Sequence, residues 1–323
     1  MQLLQKKSAE LHERGIAWRI TGVASRRLGW LAQPEGFVQD RLLGQELSQG
    51  RTSLSGVREW LTAARPDAVF EATSLSVKDG QPAIDYIRES LEAGAHAITA
   101  NKGTIVHAYE ELETLAEKNG RRFLFESTVM DGAPIFSLFR QTMPAVRLNG
   151  IRGILNSTTN VILSDMEHGM NFEESVKRTQ EMGLAETDPS HDVDGWDAAV
   201  KITALVRVLM KAPLKVDEVE RTGIRGLRSE DVQSARRDGK PYKLVCRAER
   251  DGSRVKARVR PEQVSLSDPL ALVTGSSSIV QFETDIFPNL VITENDPGLE
   301  TTAYGMLADF ITAVVGRSSL VVG

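Results

Sequence analysis

The chain has 323 residues, long enough for about two domains with ample core. An apolar fraction of 41%, a charged fraction of 26% and a net charge of −5 describe an ordinary globular protein and call for neither a nucleic-acid nor an anionic-membrane partner. The single cysteine excludes an intramolecular disulfide and any multi-cysteine metal site. No apolar run reaches the ~18 residues of a membrane span and no signal peptide opens the chain, so the expected location is the cytoplasm.

In chain order, Gln2 to Arg14 places Leu3, Leu4, Lys7 and Leu11 at helical spacing, and Gly15 ends that helix. Trp18 to Ser25 reads as a strand closing on Arg26 and Arg27, Val57 to Ala64 as a short helix, and Ala68 to Thr73 as a buried strand. A helix over Pro82 to Ala93 precedes a strand at His96 to Ala100, and a helix over Tyr109 to Asn119 precedes a strand at Arg122 to Glu126. Strands alternating with helices of this length predict a parallel, doubly wound α/β sheet of the Rossmann type. Ligands of such sheets sit at the carboxyl ends of the strands. The groups there are polar and fit a cofactor crevice: Arg26 and Arg27, Thr73 and Ser74, Asn101 and Lys102, and Glu126 to Thr128.

After Pro134 the pattern changes. A strand at Val146 to Leu155 is followed by helices at Asn160 to His168, Phe172 to Met182 and Trp196 to Met210. Strands then follow around Tyr242 to Ala248, Val255 to Val259 and Ile279 to Thr284. This is the pattern of a second, α+β domain. Cys246 lies in the alternating run Y-K-L-V-C-R-A, which predicts a half-buried, inert thiol. The expected division is 1–134 for nucleotide binding, 135–299 for substrate binding and dimerisation, and 300–323 as an amphipathic helix returning to the first domain.

Chemistry concentrates between Gly153 and Lys201, where G-I-L-N-S-T-T-N-V-I-L is followed by E-M-G-L-A-E-T-D-P and D-V-D-G-W-D-A-A-V-K. Small polar, acidic and basic groups at fixed spacing suit gripping an amino-acid-like substrate and moving a proton. Asp197 and Lys201 are four residues apart and share a helical face; in isolation such a pair is a surface ion pair worth about 0.3–0.5 kcal/mol. Glu186 to Asp194 also reads as an acidic loop or a metal site, though His191 is its only histidine. The hydroxyls and amides of Asn156 to Asn160 suffice to cap the following helix, and Thr158 is compatible with substrate contact as well.

These segments, with G-I-A-W-R-I-T-G-V-A-S-R-R, F-E-A-T-S-L-S, T-A-N-K-G and F-E-S-T-V-M-D-G-A-P-I, resemble homoserine dehydrogenase in its short form without kinase or regulatory domains. The resemblance covers nearly the whole chain. It implies reversible hydride transfer between NAD(P)H and aspartate 4-semialdehyde, giving homoserine in threonine and methionine biosynthesis. It assigns proton transfer to Lys201, substrate orientation to Asp197 and the substrate amino group to Glu186, with Asp192 in support. Lys102 would project over the crevice where nicotinamide and substrate meet; read alone it is a solvated lysine. The resemblance further implies a homodimer and a monovalent cation such as sodium, held around Glu126, Val129, Asp131 and Ala133, although M-D-G stands here in place of the commoner G-G-G or G-A-G. Arginines at the end of V-A-S-R-R, where an acidic residue would bind the ribose of NAD, favour the 2′-phosphate of NADP over plain surface charge.

Two departures from the family stand out. Family members open with a strand and a G-x-G-x-x-G turn that meets the pyrophosphate, whereas Met1 here falls within the helix that follows, about 20 residues on. The expected fold therefore lacks its first strand, with two strand edges exposed. A misplaced start and a true truncation both explain this, and the second makes the chain an impaired relative acting as a binding or oligomerisation partner. The other departure is N-D-P-G-L-E-T-T-A-Y-G, in place of a Gly-Ala-Gly turn before Thr-Ala.

Overall fold

A computed structural model of the chain describes residues 1–38 and 54–315. The chain divides into two compact units, one of 1–104, 108–127 and 302–323, the other of 105–107 and 128–301.

In the first unit, helices α1 (Gln2–Lys6) and α2 (Ser8–Glu13) replace the single helix expected, because Lys7 leaves the helical region at φ −101°, ψ 15°. Strand β1 (Gly22–Ser25) is shorter than the sequence suggested and pairs antiparallel with β2 (Gly29–Ala32), a strand not foreseen. Gly29 at φ +71° permits the tight reversal, so Arg26 and Arg27 occupy a hairpin turn rather than the end of a parallel strand. The hairpin rests on α3 (Val57–Ala64), whose Trp60 Nε1 donates to the Leu31 carbonyl at 2.8 Å. A Cβ on Gly22 would come within 2.6 Å of the Trp60 ring, which is why glycine stands there.

The parallel sheet has the order β3 (Ala68–Glu71), β4 (His96–Thr99), β5 (Phe123–Leu124), with α4 (Ala83–Glu92) and α5 (Lys102–Lys118) as its crossovers. α5 starts seven residues before the apolar pattern suggested, because Asn101 caps it and a kink at Ala108 interrupts the periodicity. Among the described residues β3 pairs on one side only. Its flank opens on a cavity of about 1680 Å³ lined by Ile16, Trp18, Ile20, Val69, Phe70 and Phe310, among others. The terminal helix Leu299–Val315 packs through Leu307 on Leu3, Leu11 and Ile16, and through Ala313 on Ile98 and Leu124.

The second unit is a mixed six-stranded sheet covered by helices. Its strands are β6 (Leu148–Ile154), β7 (Glu220–Arg221), β8 (Tyr242–Asp251), β9 (Arg254–Gln263), β10 (Ser278–Thr284) and β11 (Leu290–Glu294), in the order β11-β10-β6-β8-β9-β7. All pairs are antiparallel except β7 with β9. The helices are α6 (Ser157–Glu167), α7 (Phe172–Glu181), α8 (Ser190–Val193), α9 (Trp196–Leu205) and α10 (Ser229–Arg237), with α9 running into a π-helical turn at Val206–Met210. Gly153 lets β6 approach β10 closely, since a Cβ there would lie 2.5 Å from the Ile279 carbonyl. Cys246 is fully buried rather than half-buried, and burial pushes its thiol up to about 12, which leaves it inert.

Candidate active site

In the second unit, one asparagine organises the acidic groups. Asn156 ends the β6 segment in an extended conformation and caps α6, its Oδ1 accepting from Thr159 N and Thr159 Oγ1, both at 2.8 Å. Its Nδ2 donates to Asp192 Oδ1 at 2.7 Å and to Asp197 Oδ2 at 2.9 Å, so a single amide holds two carboxylates. Lys201 completes the group: its Nζ lies 3.0 Å from Asp197 Oδ2 and donates to the Leu155 carbonyl at 2.7 Å. Asp197 is buried, so this i,i+4 pair is no solvated surface bridge.

The electrostatics follow from that geometry. Burial alone would push the Lys201 ammonium down, but the charge of Asp197 and its hydrogen bond, with Asp131 and Asp192 beyond, hold it above the usual lysine value. Lys201 therefore remains a charged proton donor. Burial pushes the Asp192 carboxyl up, and the neighbouring Asp197 charge adds to it, while the Asn156 amide and Lys201 oppose both.

The D-V-D-G-W loop is clamped from outside. Gly195 takes φ +81° ahead of α9, and the Arg221 guanidinium lies 3.6 Å from the centre of the Trp196 ring while donating to the Asp194 carbonyl. Arg225 pairs with the Asp194 carboxylate at 3.0 Å. Thr158 is buried and donates to the Leu184 carbonyl at 3.0 Å, anchoring the loop between α7 and α8. Glu186, in the same loop, is exposed; Gln180 holds its backbone carbonyl at 3.1 Å. The structure thus brings Asp192, Asp197 and Lys201 together, and places Glu186 on the surface.

In the first unit the ends of β3 and β4 are cross-linked by Glu71 and Thr99, which the sequence did not single out, together with Thr73 and Asn101, which it did. Glu71 is buried and accepts from Thr73 N, Thr73 Oγ1 and Thr99 Oγ1 at 2.7, 2.6 and 2.6 Å. Asn101 spends its amide on the Thr73 and Ser74 carbonyls, at 3.3 and 3.4 Å, and its Oδ1 on Gly103 N at 2.9 Å. Thr73 and Ser74 remain exposed and, with Ser25 and Arg26, line the 1680 Å³ cavity. Lys102 opens α5, where a positive charge opposes the helix dipole, so helix stability does not explain it.

The Glu126 backbone amide donates to the buried carboxylate of Asp309 at 2.7 Å. In the second unit Val129 and Ala133 are buried, and Met130 and Asp131 both take left-handed backbone, at φ +54° and +53°. Among the described residues, no group of three or more His, Cys, Asp or Glu is placed to hold a metal ion.

Residues 134–311 match the profile of the homoserine dehydrogenase family, and residues 1–126 match that of the homoserine dehydrogenase NAD-binding domain. The chain belongs to the homoserine dehydrogenase family. It is 34% identical to an NAD(+)-dependent homoserine dehydrogenase of Pseudomonas canavaninivorans, over 93% of this chain and 87% of that one. A homoserine dehydrogenase of Sulfurisphaera tokodaii is 32% identical, over 96% of this chain and 92% of its own. Among solved structures, the homoserine dehydrogenase from Thiobacillus denitrificans superposes with a TM-score of 0.81 at 26% identity, covering 99% of this chain and 72% of that one. The parallel sheet followed by a mixed-sheet domain is the architecture of this family.

Proposed function

We propose that this homoserine dehydrogenase interconverts L-homoserine and L-aspartate 4-semialdehyde, with Lys201 as the proton donor. The observation that carries the reading is the Asn156–Asp192–Asp197–Lys201 network, which keeps an ammonium charged beside two fixed carboxylates. Reduction of an aldehyde places negative charge on its oxygen, and a positioned ammonium both stabilises that charge and supplies the proton. In the oxidative direction the same nitrogen receives the hydroxyl proton. Asp197 orients Lys201, Asp192 and Thr158 border the substrate, and the family resemblance gives the amino group to Glu186, on the exposed loop.

NAD(P)H, when bound, would supply the hydride for reduction, and NAD(P)+ would take it up in oxidation. A cavity of about 1680 Å³ runs along the flank of β3 between mostly apolar side chains; it is larger than the ~300–1,000 Å³ of most small-molecule sites and has room for a dinucleotide where Ser25, Arg26, Thr73 and Ser74 border it. Ser25, Arg26, Arg27, Thr73 and Ser74 would hold it, with Asn101 fixing the strand ends and Lys102 near the reacting end. Arg26 and Arg27, in their hairpin turn, favour NADP through its 2′-phosphate. A monovalent cation at Glu126, Val129, Asp131 and Ala133 belongs to the same proposal; the left-handed turn at Met130 and Asp131 supports it by reorienting successive peptide groups. So do a homodimer formed through the second unit's sheet and a cytoplasmic location; no helix among the described residues is long and apolar enough to cross a membrane.

The test is turnover: the purified chain with NADP or NAD should oxidise homoserine and reduce aspartate semialdehyde. A folded protein that binds neither cofactor nor substrate would favour the impaired relative instead.

A further inference from the structure

At one end of the second unit's sheet, two side-chain oxygens make no hydrogen bond among the described residues: Ser278 Oγ and Glu294 Oε2. Glu294 is the last residue of β11, and the register pairs it directly with Ser278, the first residue of β10. Directly opposed residues of an antiparallel pair project from the same face, so the carboxylate and the hydroxyl are neighbours. Glu294 Oε2 and Ser278 Oγ are both enclosed and make no hydrogen bond among the described residues, and Ser278 is 3% exposed. Enclosed polar atoms without partners are costly, and they mark places where water, an ion or a ligand completes the bonding.

Their position is next to the proposed chemistry. The following pair in the ladder, Ile279 with Ile154, sets Ser278 beside the segment that turns at Leu155, whose carbonyl accepts from Lys201 Nζ. Glu294 is within electrostatic reach of Lys201 and Asp131. Asp131 stands in M-D-G where the family resemblance leads one to expect a small residue, and Glu294 directly precedes the segment N-D-P-G that replaces a Gly-Ala-Gly turn.

We propose that Glu294 and Ser278 bind the α-ammonium group of the amino-acid substrate, Glu294 as its enclosed counter-ion and Ser278 as an accepting hydroxyl. This rests on the dehydrogenase reading of the Lys201 site. An ammonium brings the three donors that these oxygens lack. A compact substrate with its hydroxyl at Lys201 carries its amino group only a few atoms away, which suits the short span across the strand end. Burial pushes the Glu294 carboxyl up to about 7, Asp131 adds in the same direction, and Lys201 opposes them. Glu186, the carboxylate assigned to this group by resemblance, is exposed; Glu294 is a second one, more enclosed.

The experiment compares homoserine with 4-hydroxybutanoate, its analogue without the amino group, by calorimetric binding and by kcat/KM, in the wild-type chain and in Glu294→Gln, Glu294→Asp and Ser278→Ala. Glu294→Gln should weaken homoserine at least tenfold in both readouts and leave the analogue unchanged. Glu294→Asp should recover part of that loss, and Ser278→Ala should show a smaller, equally amino-dependent effect. Equal losses for both ligands, or none, would overturn the proposal, as would losses that track added sodium for both ligands, since that assigns the carboxylate to a free cation. Because binding is read without turnover, a wild-type chain that binds homoserine but does not oxidise it counts against the dehydrogenase reading and not against this site.

Discussion

The most consequential single residue is Asn156. Read along the sequence it is a helix cap; in the folded chain its one amide spans 36 residues to Asp192 and 41 to Asp197. That second role was illegible because nothing local records which carboxylates will lie opposite a cap. The Asp197–Lys201 spacing, by contrast, was legible, since i,i+4 is a property of the helix itself. Asn156→Ala should remove two hydrogen bonds to charged groups and leave Asp192 and Asp197 to repel each other. Hydrogen bonds to charged groups contribute about 1.5–3 kcal/mol, so a fall in kcat on the order of tenfold to a hundredfold is expected. Steady-state kinetics check it, and a variant with full kcat would show that the two carboxylates need no bridge.

At the scale of elements, α6 buries Val161, Ile162, Leu163 and Met166 and adds polar ties around Asn160. Asn160 donates to the Gly275 carbonyl at 3.0 Å, and the fully buried Lys243 donates to the Val273 carbonyl at 2.7 Å. At the far end of the same helix, burial pushes the Glu167 carboxyl up, against the pull of Lys243, Arg236 and His168. A carboxyl raised in the folded state contributes stability that is complete below its unfolded value and is lost as pH rises through its folded one. Glu167→Gln, which mimics the protonated form, should therefore gain in Tm relative to wild type as pH rises above the ordinary carboxylate value. Thermal melts across that range check the sign; a gap that narrows with pH would contradict it. Elements with strong periodicity were legible, α3 and α4 to within a residue of each end. The strands β2 and β11 were missed because they are only four and five residues long and lie beside turn residues, and α10 because its exposed face is almost wholly charged.

For the whole molecule, the sequence carried the architecture and family, while the placement of Glu294 depended on a strand pairing that no local pattern announces. The expected parallel strand at Trp18 to Ser25 became a hairpin because Gly29 reverses the chain and Trp60 receives it. Among the described residues β3 thereby keeps an unpaired edge beside the large cavity proposed for the cofactor. The central claim is that Lys201 moves the proton for a hydride transfer in this chain. Its most direct test is homoserine oxidation by Lys201→Ala beside wild type, with cofactor binding followed by protein fluorescence in the same samples. The account predicts turnover lost in the variant by about a hundredfold or more, in line with removal of a general acid–base group, and cofactor binding retained. A variant that turns over homoserine at near wild-type rate would contradict it.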